Sequence, residues 1–116
     1  MLKPLVFEIL LALAAGEQHG WALVRDLELR IGQPILPGNF YRTLRALVAD
    51  GLVEEVDNPP QTRIAALPET GLNADRRRYL RLTPRGRTVA SAEAKRLDAL
   101  VTESRARRLL SARKRS

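Results

Sequence analysis

The sequence predicts a mainly α fold with one β-hairpin, arranged as a winged helix-turn-helix that ends in a long C-terminal helix. Three observations carry that expectation. Three helical segments with apolar faces follow one another before residue 51, separated by stretches rich in Gly and Pro. Two strand-like runs, LVEEV and RYLRL, then flank residues 57–77. From Thr83 onward, nothing breaks a helix until about residue 112. The expected organisation is a winged helix-turn-helix unit over 1–82, followed by a dimerisation helix and basic tail over 83–116.

Each element has a local reason. Pro4 suits a first helical turn, where its missing N–H costs nothing, and the helix is expected over about 4–15, before Gly16. Leu5, Phe7, Ile9, Leu10, Leu11 and Leu13 surround this helix, with Glu8 its single charge. A helix apolar on all sides needs cover on more than one side, so a second subunit is expected to supply part of it. The loop GEQHG leads into a second helix, where Trp21, Val24, Leu27 and Ile31 form the apolar stripe opposite Arg25, Asp26, Glu28 and Arg30.

The linker GQPILPG forces a turn before a third helix, about 39–50, which starts near Gly38 or Asn39 and stops at Gly51. Its expected buried stripe is Phe40, Leu44, Leu47 and Val48. In the second strand-like run Leu80 and Leu82 share one face, with Tyr79 and Arg81 on the other; the two runs pair most simply as a hairpin with a long tip. Thr83-Pro84 makes an N-cap and first turn for the last helix, whose face of Ala90, Ala94, Leu97 and Val101, flanked by Val89 and Leu100, suits close approach of a partner helix.

The chain has 116 residues, 45% hydrophobic, enough for one ordinary core. It has no cysteine, which excludes disulfides and thiolate chemistry and fits a reducing, cytoplasmic setting. The first apolar run is too short and too charged for a membrane span, and no cleavage pattern of a secretory signal follows it. The net charge of +7 is unevenly spread: residues 1–60 hold five Lys/Arg against eight Asp/Glu, residues 61–116 fifteen against five. Such a basic half is what a polyanion-binding surface needs, although a merely solvated surface has the same composition. Nucleophile-elbow, Walker and Rossmann patterns are absent, and the single histidine, His19, has no ligand spacing around it and is expected to cap a helix or face solvent. No enzyme activity, cofactor or metal is expected.

Three strings in order, HGWALVRDLE, LPGNFYRTLRALVADGLVEE and RRRYLRLTPRGR, resemble the PadR family of bacterial transcriptional regulators over about residues 5–110. That family opens its recognition helix with a glycine, a small polar residue, an apolar residue and a tyrosine, matched by Gly38, Asn39, Phe40 and Tyr41. Its members usually follow the tyrosine with proline, where this chain has Arg42, and their wing is usually shorter than 57–77. The resemblance implies a homodimeric repressor whose recognition helix enters duplex DNA, with the first and last helices at the dimer interface. It also suggests that an aromatic or drug-like effector, as bound by some members at that interface, would be lined by Phe7 and Trp21, although five aromatic residues in all make a purely structural tryptophan the plainer reading.

In the third helix Asn39, Tyr41, Arg42 and Arg45 are expected off the buried stripe. Tyr41 and Arg42 suit phosphate, Asn39 suits adenine or phosphate, and Arg45 suits guanine edges in the major groove. Arg76, Arg77 and Arg78, with Arg63 in the hairpin tip, would meet the DNA backbone. The run Arg105, Arg107, Arg108, Arg113, Lys114 and Arg115 is read as a solvated helix end. The competing reading is a winged-helix protein-interaction module whose basic surface serves solubility alone.

Overall fold

The computed structural model describes residues 1–56 and 79–111. The elements are α1 (Pro4–Ala14), β1 (Gln18–His19), α2 (Gly20–Ile31), α3 (Pro37–Ala49), β2 (Val53–Val56), β3 (Tyr79–Leu82) and α4 (Pro84–Ala106). α1, α3 and α4 each open on a proline, where a fixed φ and a missing N–H fit the first turn. α2 ends at Gly32, whose φ of 81° lies in the left-handed region that glycine enters without steric cost.

Among the described residues the sheet has three strands, not two. β3 is central, with β2 antiparallel on one side (Val53 opposite Leu82, Val56 opposite Tyr79) and β1 on the other (Gln18 opposite Leu80, His19 opposite Tyr79). The segment expected as a plain loop before α2 therefore supplies an edge strand. Two residues are too few to show alternation, and their partner lies sixty positions further on, so no local pattern announces them.

α1 runs through the middle of the molecule, packed by α2, α3, α4 and β3. Ile9, Leu10, Ala12 and Leu13 are buried on it, while Leu5, Val6 and Phe7 are half-buried and Leu11 is 40% exposed. The chain itself thus covers most of a helix whose composition had called for outside cover. Leu23 and Leu27 of α2, Phe40, Leu44 and Leu47 of α3, and Leu52, Val53 and Leu80 around the sheet complete the core. The buried stripe of α2 runs through Leu23 and Leu27; Ile31, expected inside, is 39% exposed because it sits at the last turn, past the end of the packed surface.

Thr83 ties three elements together. Its N–H donates to the Leu52 carbonyl (3.1 Å), its hydroxyl donates to the Gly51 carbonyl (2.6 Å), and its Oγ1 accepts from the Gly86 N–H (2.9 Å) to cap α4. The approach is so close that a Cβ at Gly86 would overlap the Leu52 carbonyl and press on Leu82, so only glycine fits there. Past this anchor Val89 and Ala90 pack on the core and Glu93 is buried. Further along, Ala94 and Leu100 are exposed, with Leu97 and Val101 half-buried.

α4 stops at Ala106, six residues short of the expected end. Arg108 adopts a φ of 65°, and the Leu109 N–H donates to Ser104 (2.8 Å) while that of Arg108 donates to Arg105 (3.0 Å). This is a Schellman termination with arginine in the place usually held by glycine. Because no glycine marks it, the helix reads through in the sequence.

Candidate nucleic-acid interface

α3 presents two contrasting sides. Phe40, Tyr41, Leu44 and Leu47 are buried, whereas Gly38, Asn39, Arg42, Arg45, Ala46 and Ala49 are exposed. Arg42, Arg45 and Ala49 recur at helical spacing on the outward side, with Gly38 and Ala46 flanking them. Two guanidinium groups therefore stand above a low surface of small side chains, a shape that lets the helix approach a polyanion closely.

Tyr41 corrects the sequence-based expectation. It is 7% exposed and packs edge-to-face on Phe40, with ring centroids 4.9 Å apart and an interplanar angle of 83°. Its hydroxyl is hidden from solvent, so it offers nothing to a phosphate outside. The inner side of α3 thus extends from half-buried Val48 round to Tyr41, on the flank that faces α2 and the linker. With Trp21, Val24, Arg25, Glu28, Ile35 and Pro37 it lines a cavity of about 350 Å³. Trp21, in the first turn of α2, thus faces the cavity between α2 and the start of α3, and Phe7, its expected companion in an effector pocket, is not among the cavity's lining residues.

Beside the exposed side of α3 lies a groove of about 620 Å³, whose walls include Lys3, Pro4, Asn39, Arg42, Thr43 and Asp50. Lys3 thereby joins Asn39 and Arg42 around one depression. Sequence reasoning passed over it, since a single lysine ahead of a helix carries no pattern; only the packing of α1 against α3 brings it there.

Arg63, Arg76, Arg77 and Arg78 lie outside the described residues. At the base of the hairpin, Arg81 is committed to acids: its Nε donates to Glu54 (2.7 Å), and Glu17 lies 3.8 Å from its guanidinium. The hydrogen bond and charge of Glu54 raise the Arg81 pKa further. His19 holds the N-cap position of α2, but its side chain makes no capping hydrogen bond and does not face solvent. It is 9% exposed and packs edge-on against Tyr79 at 4.7 Å, where β1 and β3 pair. Of the C-terminal basic run, Arg107 pairs with Glu103 at 2.6 Å on α4, and residues 113–115 lie outside the described residues.

Glu93 is the buried acid of α4, 6% exposed. Arg96 holds both of its oxygens, at 2.9 and 2.6 Å. The Arg96 hydrogen bond is the main cause of a lowered Glu93 pKa, and the Leu2 backbone N–H adds to it. Glu93 thus fastens the start of the chain, which borders the Asn39–Arg42 groove, to the last helix.

No family model and no curated protein matches the sequence. Solved structures do match its shape. H. salinarum RosR is 22% identical over 90% of this chain and 94% of its own, with a TM-score of 0.61. A PadR family transcription regulator from Clostridium difficile is 15% identical over 89% of this chain and 96% of its own, at 0.64. A transcriptional regulator from Clostridium thermocellum is 16% identical over 91% and 90%, also at 0.64. Across nearly its whole length, the chain has the winged-helix fold of the PadR family transcription regulators.

Proposed function

We propose that the chain is a sequence-specific DNA-binding transcriptional regulator of the PadR kind, acting as a repressor and binding an inverted repeat as a homodimer. The observation that carries this reading is the outward side of α3, with Asn39, Arg42 and Arg45 exposed among small residues on a fully seated helix. A rigid helix with that surface fits the major groove, where Arg45 addresses guanine and Arg42 and Lys3 address phosphate. The wing arginines 63, 76, 77 and 78 belong to the same reading as backbone contacts. The second half of α4, with Leu100 52% exposed and Leu97 and Val101 beside it, is the surface assigned to the second protomer.

Titration of labelled duplexes from the chain's own promoter, at several salt concentrations, tests the reading. Log K is expected to fall against log salt with a slope of about −0.9 per phosphate neutralised. Arg45→Ala is expected to relax sequence preference, by about 1–3 kcal/mol of discrimination at one base pair, and Arg42→Ala to weaken all duplexes alike. Absence of binding to any duplex at low salt would overturn the proposal. Uniform loss in both variants would abolish the division of roles between the two arginines.

A further inference from the structure

Leu36 stands at the N-cap of α3 and is 76% exposed. Its backbone is held on both sides: the Ile35 N–H donates to Glu28 (2.8 Å), and the Leu36 carbonyl accepts the first bond of the helix from Phe40 (3.0 Å). Ile35 packs on the core, so the chain direction at this point is set. Yet leucine is a poor choice for this place. N-caps favour Ser, Thr, Asn or Asp, whose side chains accept from the helix, and here there is no side-chain cap. The position therefore surrenders a cap to display a large aliphatic group in water, three residues from Asn39.

We propose that Leu36 is a specificity-determining residue that packs on the C5-methyl of a thymine in each half-site. The inference rests on the DNA-binding reading of α3. A recognition helix leads with its N-terminal end, and the thymine methyl is the apolar group that base edges display in the major groove. Asn39, Arg42 and Arg45 read or hold polar groups; Leu36 adds the one kind of contact that they cannot make. Its position before the helix, on a fixed backbone, lets it reach a base pair beyond those addressed by Arg45.

A preferred site is selected from a random duplex pool with the wild-type chain. In one half-site each thymine is then replaced in turn by uracil, which removes only the methyl group. One replacement is expected to weaken wild-type binding about fourfold, the contribution of one buried methyl group, and to leave Leu36→Ala binding unchanged. Leu36→Ser is expected to show the same insensitivity while keeping or raising thermal stability, because serine supplies the missing cap. If both variants retain the wild-type response to every uracil, or if no uracil matters to the wild type, the assignment is overturned while DNA binding stands. If the wild type selects no duplex at all, the DNA-binding reading falls with it.

Discussion

α3 and α4 both open on a proline and both carry an apolar face, but they meet their surroundings in opposite ways. α3 is 13 residues long and is seated along its whole length, so what it exposes is Asn39, Arg42 and Arg45 over alanine and glycine. α4 is 23 residues long, about 35 Å at 1.5 Å per residue, and is anchored only through its first half by Thr83, Gly86, Val89 and Glu93. Its second half leaves Leu100 in the open. A helix that exposes cations and small residues suits a polyanion; one that exposes leucine suits another apolar surface. Length relative to the core makes the difference: the core covers the 13 residues of α3, whereas the 23 residues of α4 run past it.

The strongest way to break this contrast is at the α4 anchor. Gly86→Ala forces a Cβ into the Leu52 carbonyl, and we expect about 3 kcal/mol of lost stability, read as a drop in the denaturation midpoint. Retention of the wild-type midpoint would show that the β2–α4 junction yields easily. At the open half, Leu100→Glu is expected to shift the chain from dimer to monomer in light scattering, with its thermal unfolding kept within about 0.5 kcal/mol. A wild-type chain that is already monomeric would remove the role given to α4.

Glu93 offers a smaller, pH-dependent handle. Its folded pKa is lowered, chiefly by Arg96, so its contribution is present above the ordinary value of about 4.5 and is lost as pH falls through the lower folded value. Glu93→Gln, which cannot titrate, is expected to flatten the acid limb of the stability profile while leaving its shape near neutrality; unchanged acid sensitivity would show that other carboxylates set that limb. The smallest effect is expected on α3. Tyr41→Phe removes a hydroxyl hidden from solvent, and duplex affinity and salt slope should both stay at wild-type values. A slope reduced by about one unit would put Tyr41 back on phosphate.

Much of the architecture was legible in the residues. Pro4, Pro84 and the glycines at 32 and 51 mark helix boundaries through local backbone chemistry, and the apolar spacing of Phe40, Leu44 and Leu47 names the inner side of α3. The exposure of Asn39, Arg42 and Arg45 follows from that same spacing. Periodicity, however, reports where a stripe is centred and not how wide it is. Tyr41 sits at its margin, so whether its ring turned inward depended on α2 and the linker closing over that flank.

The other decisions of the tertiary structure have the same character. β1 exists because β3, distant in sequence, comes alongside Gln18 and His19. Lys3 reaches the groove of Asn39 and Arg42 because α1 packs on α3, and the Leu2 backbone meets Glu93 because α1 also packs on α4. α4 ends at Ala106 and is turned off by Arg108, a residue that adopts a left-handed conformation without the glycine that usually announces one. The sequence by itself determined the helices, the centre of the inner face of α3 and the exposure of Arg42 and Arg45, since these depend on contacts within a few residues. Edge, margin and terminus were decided by what the finished core had room to cover, a quantity that no local stretch of chain contains.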